Sequence, residues 1–181
     1  DYRGAGGVGG DAVMKVHIHS SAKARDYFNQ GKQFLDAAWN CYGKKCDSSV
    51  NIVADGKFQQ LPAPCVVNAA FSCEIFLKSL LIKLGIEYDA RQKGHDLCSL
   101  YKKLPYNIQD AIAIFCGGKN NVIAFVNWIN AHAKDFVDIR YFIEHNGWTE
   151  TSPTMMITMA DNLSRIVDYL LDSSNLEEIM Q

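Results

Sequence analysis

An all-α domain is the fold class this sequence predicts: an antiparallel bundle of four long helices with one or two short ones. Three observations predict it. Apolar residues recur at steps of three and four through long segments. Serine, proline and glycine stand at the ends of those segments, where helices start and stop. No strand–helix alternation, internal repeat or low-complexity tract interrupts the pattern.

The first predicted helix follows Ser20 or Ser21 and runs over Ala22–Tyr42, with Tyr27, Phe28, Phe34, Leu35, Ala38 and Trp39 on its apolar side and Gly43 at its end. Residues 44–61 form a connector in which Val50–Val53, then Asp55-Gly56, predict a short hairpin before Phe58. Pro62 and Pro64 open a second helix through Leu84, stopped by Gly85. That helix is apolar nearly all round (Val66, Val67, Ala70, Phe71, Phe76, Leu77, Leu80, Leu81), which places it at the centre of the bundle. A shorter helix, Asp96–Leu104, takes Asp96 as its cap, and Pro105 separates it from Asn107–Cys116. Gly117-Gly118 then precedes a helix from Asn121 to Glu144, bending near His132–Asp135. The last helix spans Thr154–Leu171, with an extension toward Met180 and an inward stripe of Met156, Met159, Ala160, Leu163, Ile166, Val167 and Leu170.

The 181 residues fit a single domain. With 48% hydrophobic and 21% charged residues the chain can bury an ordinary core. Its 18 basic and 20 acidic residues leave a net charge of −2, so no overall field holds a polyanion and any RNA contact rests on a local patch. Pairs such as Lys44-Lys45 and Lys102-Lys103, with Arg91 and Lys93, read first as solvated charge, though together they can line one edge of a groove.

Residues 1–13 hold five of the 13 glycines. They suggest a flexible segment over 1–19, with Met14 as the natural start after an appended leader, and the helical domain over 20–181. The opening lacks the basic-then-apolar pattern of a secretory signal, and Pro62–Leu84 carries Asn68, Glu74, Lys78 and Lys83, which mark a buried globular helix. A cytoplasmic protein with no membrane partner is expected. The six cysteines fit reduced thiols: Cys65, Cys73 and Cys98 fall in apolar helical stretches, and Cys41 and Cys46 have no second ligand pair at zinc spacing. No metal and no cofactor are expected.

Glu74 is the first residue that asks for a chemical explanation, because Ala70, Phe71, Cys73, Phe76, Leu77 and Leu81 surround it on its helix. A buried carboxylate needs a cation or a proton. Lys78 stands four residues on, correct for a partly solvated pair at the helix edge. The alternative partner is Arg140, the one cation in the apolar run Phe136–Ile143, whose planar fork suits a buried carboxylate. Glu144 shares the face of Arg140, and His145 follows near the helix end. A guanidinium beside an imidazole suffices for metal-free RNA cleavage, the imidazole handling a 2′-hydroxyl proton and the guanidinium steadying the phosphorane charge. His95, just before Asp96, reads as a core or capping group ahead of a catalytic one, and His132 as solvated. His17 and His19 stand near the start, where they bind at most adventitious metal.

Taken in order, Asn68-Ala-Ala-Phe-Ser-Cys-Glu-Ile-Phe-Leu-Lys78, Gly94-His-Asp-Leu-x-x-Leu-Tyr101 with Leu104, and Phe136-x-x-x-Arg-Tyr-x-x-Glu144 resemble the HEPN superfamily of helical bundles. The resemblance covers roughly residues 20–172. It implies a homodimer and, in many members, a metal-independent endoribonuclease of toxin–antitoxin or phage-defence systems, with an antitoxin or other protein partner. Arg140 and His145 then match an R-x(4–6)-H cleft, with Glu144 or Tyr141 orienting the histidine and Glu74, Lys78, His95 and Asp96 supporting the site. The Arg-Tyr-x-x-Glu form also resembles a branch in which the arginine and glutamates are structural. That branch implies a non-catalytic module binding RNA, nucleotide or a protein.

Overall fold

A computed structural model of the chain describes residues 24–43, 52–53, 57–58, 62–88, 96–118, 122–133 and 152–180. These residues are all-α but for one antiparallel ribbon, in which Ile52 pairs with Phe58 and Val53 with Lys57. The helices are α1 (Ala24–Tyr42), α2 (Pro62–Lys83), α3 (Leu97–Lys102), α4 (Tyr106–Gly117), α5 (Val122–Ala131), α6 (Pro153–Leu171) and α7 (Ser173–Met180).

Three long helices pack on one another. Along α1, Phe28 meets Phe76 with ring centroids 5.3 Å apart, and Phe34 meets Phe71 edge-on at 4.5 Å. The partner positions retreat along α2 as α1 advances, so the two helices are antiparallel. Arg25 at the start of α1 is paired with Asp168 near the end of α6, and Tyr42 Oη lies 2.8 Å from Thr154 Oγ1. Helix α1 therefore runs antiparallel to α6 as well. Helix α2 contacts both, and its Ala69, Ala70, Phe76, Leu77, Leu80 and Leu81 are fully buried. By length and composition α2 is apolar enough to cross a membrane, but 72% of that stretch is buried inside the fold, as a central core helix must be.

Close approach of α1 and α2 depends on Gly31. A methyl group there would stand 2.7 Å from Phe76 Cε1, so only the bare Cα admits the ring. At the other end of α2 the chain turns through Gly85, whose φ of +67° lies in the left-handed region. The Gly85 and Ile86 amides donate to the Ile82 and Leu81 carbonyls at 3.1 and 2.9 Å, which closes the last turn.

The shorter helices cover one flank. Asp96 caps α3, its carboxylate accepting from the Ser99 amide at 2.8 Å, and Leu97, Leu100, Tyr101 and Leu104 point into the core. Leu97 N–H donates to the Ala133 carbonyl at 3.0 Å, tying the start of α3 to the end of α5. Tyr101 meets Phe125 edge-on at 5.5 Å, and its hydroxyl donates to the Gln109 carbonyl at 2.7 Å.

The last long helix ends at Leu171, where the sequence predicts its end, and the extension toward Met180 is a separate helix, α7. Asp172 is extended, with ψ of 127°, and its carboxylate accepts from Ser174 N and Oγ at 3.0 and 2.6 Å, ending α6 and starting α7. Helix α5 ends at Ala131, followed by a turn at His132–Ala133; the rest of the predicted Asn121–Glu144 helix lies outside the described residues. His132 is not solvated: it is half-buried, and its ring lies 5.1 Å from that of Trp128, one turn back.

Candidate functional site

Of the residues singled out in the sequence, the structure brings two together. On α2, Lys78 Nζ donates to Glu74 Oε1 at 2.6 Å. The spacing of four residues makes the contact possible, since residues four apart stack on one helix face. The position is less solvated than the sequence predicts. The Glu74 side chain is 1% exposed and that of Lys78 11%, on the central helix that packs against both other long helices. In such surroundings two opposite charges attract strongly, and each is costly to leave without the other.

Two tyrosines complete the group. Tyr88, in the stretch after α2, presents its ring to Lys78 Nζ at 5.5 Å to the centroid, a cation–π contact. It also shares a hydrogen bond with Tyr27 of α1. Burial first, then the Tyr27 bond and charge, then the Glu74 carboxylate, push the Tyr88 phenol well above its ordinary value. The result is a carboxylate, an ammonium and two phenols from three segments at the α1–α2 seam. Sequence reasoning missed the tyrosines. Tyr27 was visible only as an apolar position, and Tyr88 belongs to no periodic segment.

Asp96 is committed to capping α3 through its bond to Ser99. Arg140, Tyr141, Glu144, His145 and His95, like His17, His19, Arg91, Lys93 and the segment 1–19, lie outside the described residues. So does the expected approach of Arg140 to Glu74.

The thiols read as core groups. Burial raises Cys73 far above its ordinary value, with Cys116 adding to the effect, and raises Cys116 itself to about 12. Cys98 is buried and its Sγ lies 2.8 Å from Asn130 Oδ1. Trp128 Nε1 is buried with no hydrogen-bond acceptor among the described residues. No group of three or more His, Cys, Asp or Glu side chains among the described residues is arranged to hold a metal ion.

Comparison of the chain with family models, with curated proteins and with solved structures finds no match.

Proposed function

We propose that this chain is a HEPN-like domain, an antiparallel bundle of four long helices, that works in the cytoplasm as a homodimer and cleaves RNA without a metal ion or cofactor. Arg140 and His145 carry the reaction. The His145 imidazole takes the 2′-hydroxyl proton, the freed oxygen attacks the adjacent phosphorus, and the Arg140 guanidinium steadies the charge that builds on the phosphorane oxygens. The bond to the 5′-oxygen then breaks, and that oxygen takes a proton from the imidazolium. Glu144 or Tyr141 orients the imidazole. An antitoxin or another protein partner holds the activity in check.

The observation that carries this reading is the burial of Glu74 and its bond to Lys78 in the middle of α2. Both belong to the central-helix segment on which the resemblance rests, and a carboxylate retained in so apolar a place marks a position with a defined job. Asp96 adds support: it caps a helix that begins at Leu97, within the second of the segments on which the resemblance rests.

The same pair favours a second reading. Lys78 and Glu74 engage each other beneath the surface, which suits a structural role, with Glu74 and Arg140 holding the bundle. On that view the domain is a non-catalytic HEPN-type module that binds RNA, nucleotide or a protein.

One experiment separates the two. Purified protein is incubated with RNA in EDTA, and the ends are analysed. The nuclease reading expects 2′,3′-cyclic phosphate and 5′-hydroxyl ends, blocked by 2′-deoxy substitution at the cut. His145→Ala should lower the rate by roughly 10²–10⁴-fold, and Arg140→Ala by roughly 10²–10³-fold, with thermal midpoints unchanged. Absence of cleavage, with RNA or nucleotide raising the midpoint, supports the binding module.

A further inference from the structure

The α1–α2 seam places two cysteines opposite each other. Phe28 meets Phe76, Gly31 abuts Phe76 and Ile75, and Phe34 meets Phe71. For each step forward on α1 the facing position on α2 moves about one step back, which brings Ala38 opposite the stretch that ends at Ala69 and Cys41 opposite the stretch that holds Cys65. Ala38, Ala69 and Ala70 are fully buried, and side chains that small let the two backbones come close one turn from the thiols. Close backbones are the condition a disulfide imposes, since its Cα atoms must lie within about 7 Å. Cys41 also ranks, after burial, among the causes that raise the Cys65 thiol, as a near neighbour must. Both thiols are reduced in this structure.

We propose that Cys41 and Cys65 form a redox latch, a disulfide that joins the end of α1 to the first turn of α2 when a low-molecular-weight disulfide is present. Cys41 reacts first, because it is half-buried whereas Cys65 is fully buried. The Cys41 thiolate, having lost its proton to water, attacks one sulfur of the small disulfide. A mixed disulfide forms and one small thiolate leaves. Cys65 then loses its proton and attacks Cys41 Sγ, expelling the second small thiol. In sum, one small disulfide is reduced to two thiols and two protein thiols are oxidised to one disulfide. Both positions lie at helix ends, where the backbone gives most easily. Burial raises the Cys41 thiol, and lifts Cys65 to about 11, so the exchange is slow and the latch answers to sustained oxidation only. Once closed, it encircles the connector between the two helices and restricts the unfolded chain.

The test is incubation of the full, reduced chain with oxidised glutathione, followed by alkylation and peptide mapping without reductant. The expected product is a Cys41–Cys65 linked peptide, with a thermal midpoint raised by roughly 5–10 °C that dithiothreitol reverses. Cys65→Ser, or Cys65→Ala should the serine fail to fold, halts the reaction at a glutathione adduct on Cys41. Cys41→Ser leaves Cys65 unmodified. Linkage of Cys41 to Cys46, linkage of any other pair, or a chain still reduced after prolonged oxidation overturns the proposal.

Discussion

Lys78 Nζ stands 2.6 Å from Glu74 Oε1 in the middle of the central helix, with the carboxylate side chain 1% exposed. At a solvated helix edge a pair of this spacing contributes a few tenths of a kcal/mol. Buried on α2, the same pair is held in place by the cost of separating it.

Removal of one partner should therefore cost far more than the pair is worth. Lys78→Met leaves the Glu74 carboxylate buried without its ammonium, and the expected loss is about 3–5 kcal/mol of unfolding free energy. The double variant Glu74→Leu/Lys78→Met, apolar throughout, should recover most of that loss. Urea denaturation of the two variants checks it: equal losses in both would mean that the pair itself, and not the burial of a carboxylate deprived of the Lys78 ammonium, carries the stability.

Gly31 makes a second prediction with an opposite naive sign. Alanine in place of a helical glycine ordinarily stabilises by up to ~1 kcal/mol. Here the new Cβ would lie 2.7 Å from Phe76 Cε1 and 3.3 Å from Ile75 Cγ2. The ring is fully buried in the core and must shift to admit the methyl group, so Gly31→Ala should destabilise by about 1–3 kcal/mol. In a Phe76→Leu background the same change should cost much less. A gain in stability for Gly31→Ala alone would refute the packing argument.

At α3 the expected effect is smaller and local. Asp96→Ala removes the acceptor for the Ser99 amide and should cost about 1 kcal/mol, whereas Asp96→Ser or Asp96→Asn should keep most of it. Chemical denaturation distinguishes the three.

These cases show what the amino-acid order makes legible. Gly43 and Gly85 end α1 and α2 where they stand in the sequence, and both adopt positive φ, so punctuation by glycine was a reliable guide. The Asp96 cap and the Glu74–Lys78 spacing depend only on neighbours within one turn, and both are present. The depth of that pair was not legible, because it is set by how other segments pack on α2, Tyr88 among them. The facing of Cys41 and Cys65 depends on the α1–α2 register, and the Tyr27–Tyr88 bond on how the stretch after Gly85 folds back over α1. Neither leaves a local signal. The end of α6 at Leu171 falls where the sequence predicts it, and the start of α7 depends on the Asp172 carboxylate turning to Ser174.

Alkaline pH supplies the last prediction. In the unfolded chain the Tyr88 phenol titrates near its ordinary value of 10.0; in the folded protein burial, Tyr27 and Glu74 hold it protonated to higher pH. Tyr101 behaves alike, raised to about 12 by burial and then by Asp110 and its other neighbours. A group whose folded value is raised contributes stability fully below its unfolded value, and loses it as pH climbs through the folded one. Between pH 10 and 12 the unfolded chain has given up phenolic protons that the folded chain retains, so stability falls with rising pH. The raised thiols, Cys65 to about 11 and Cys116 to about 12, start the decline earlier, from their ordinary 9.0. Urea midpoints measured from pH 8 to 11 should therefore be flat at first and decline above about pH 9, more steeply above pH 10. Tyr88→Phe should make the segment above pH 10 shallower without altering that between 9 and 10. An unchanged slope in Tyr88→Phe would show that the phenol is no more protonated in the folded protein than in the unfolded chain.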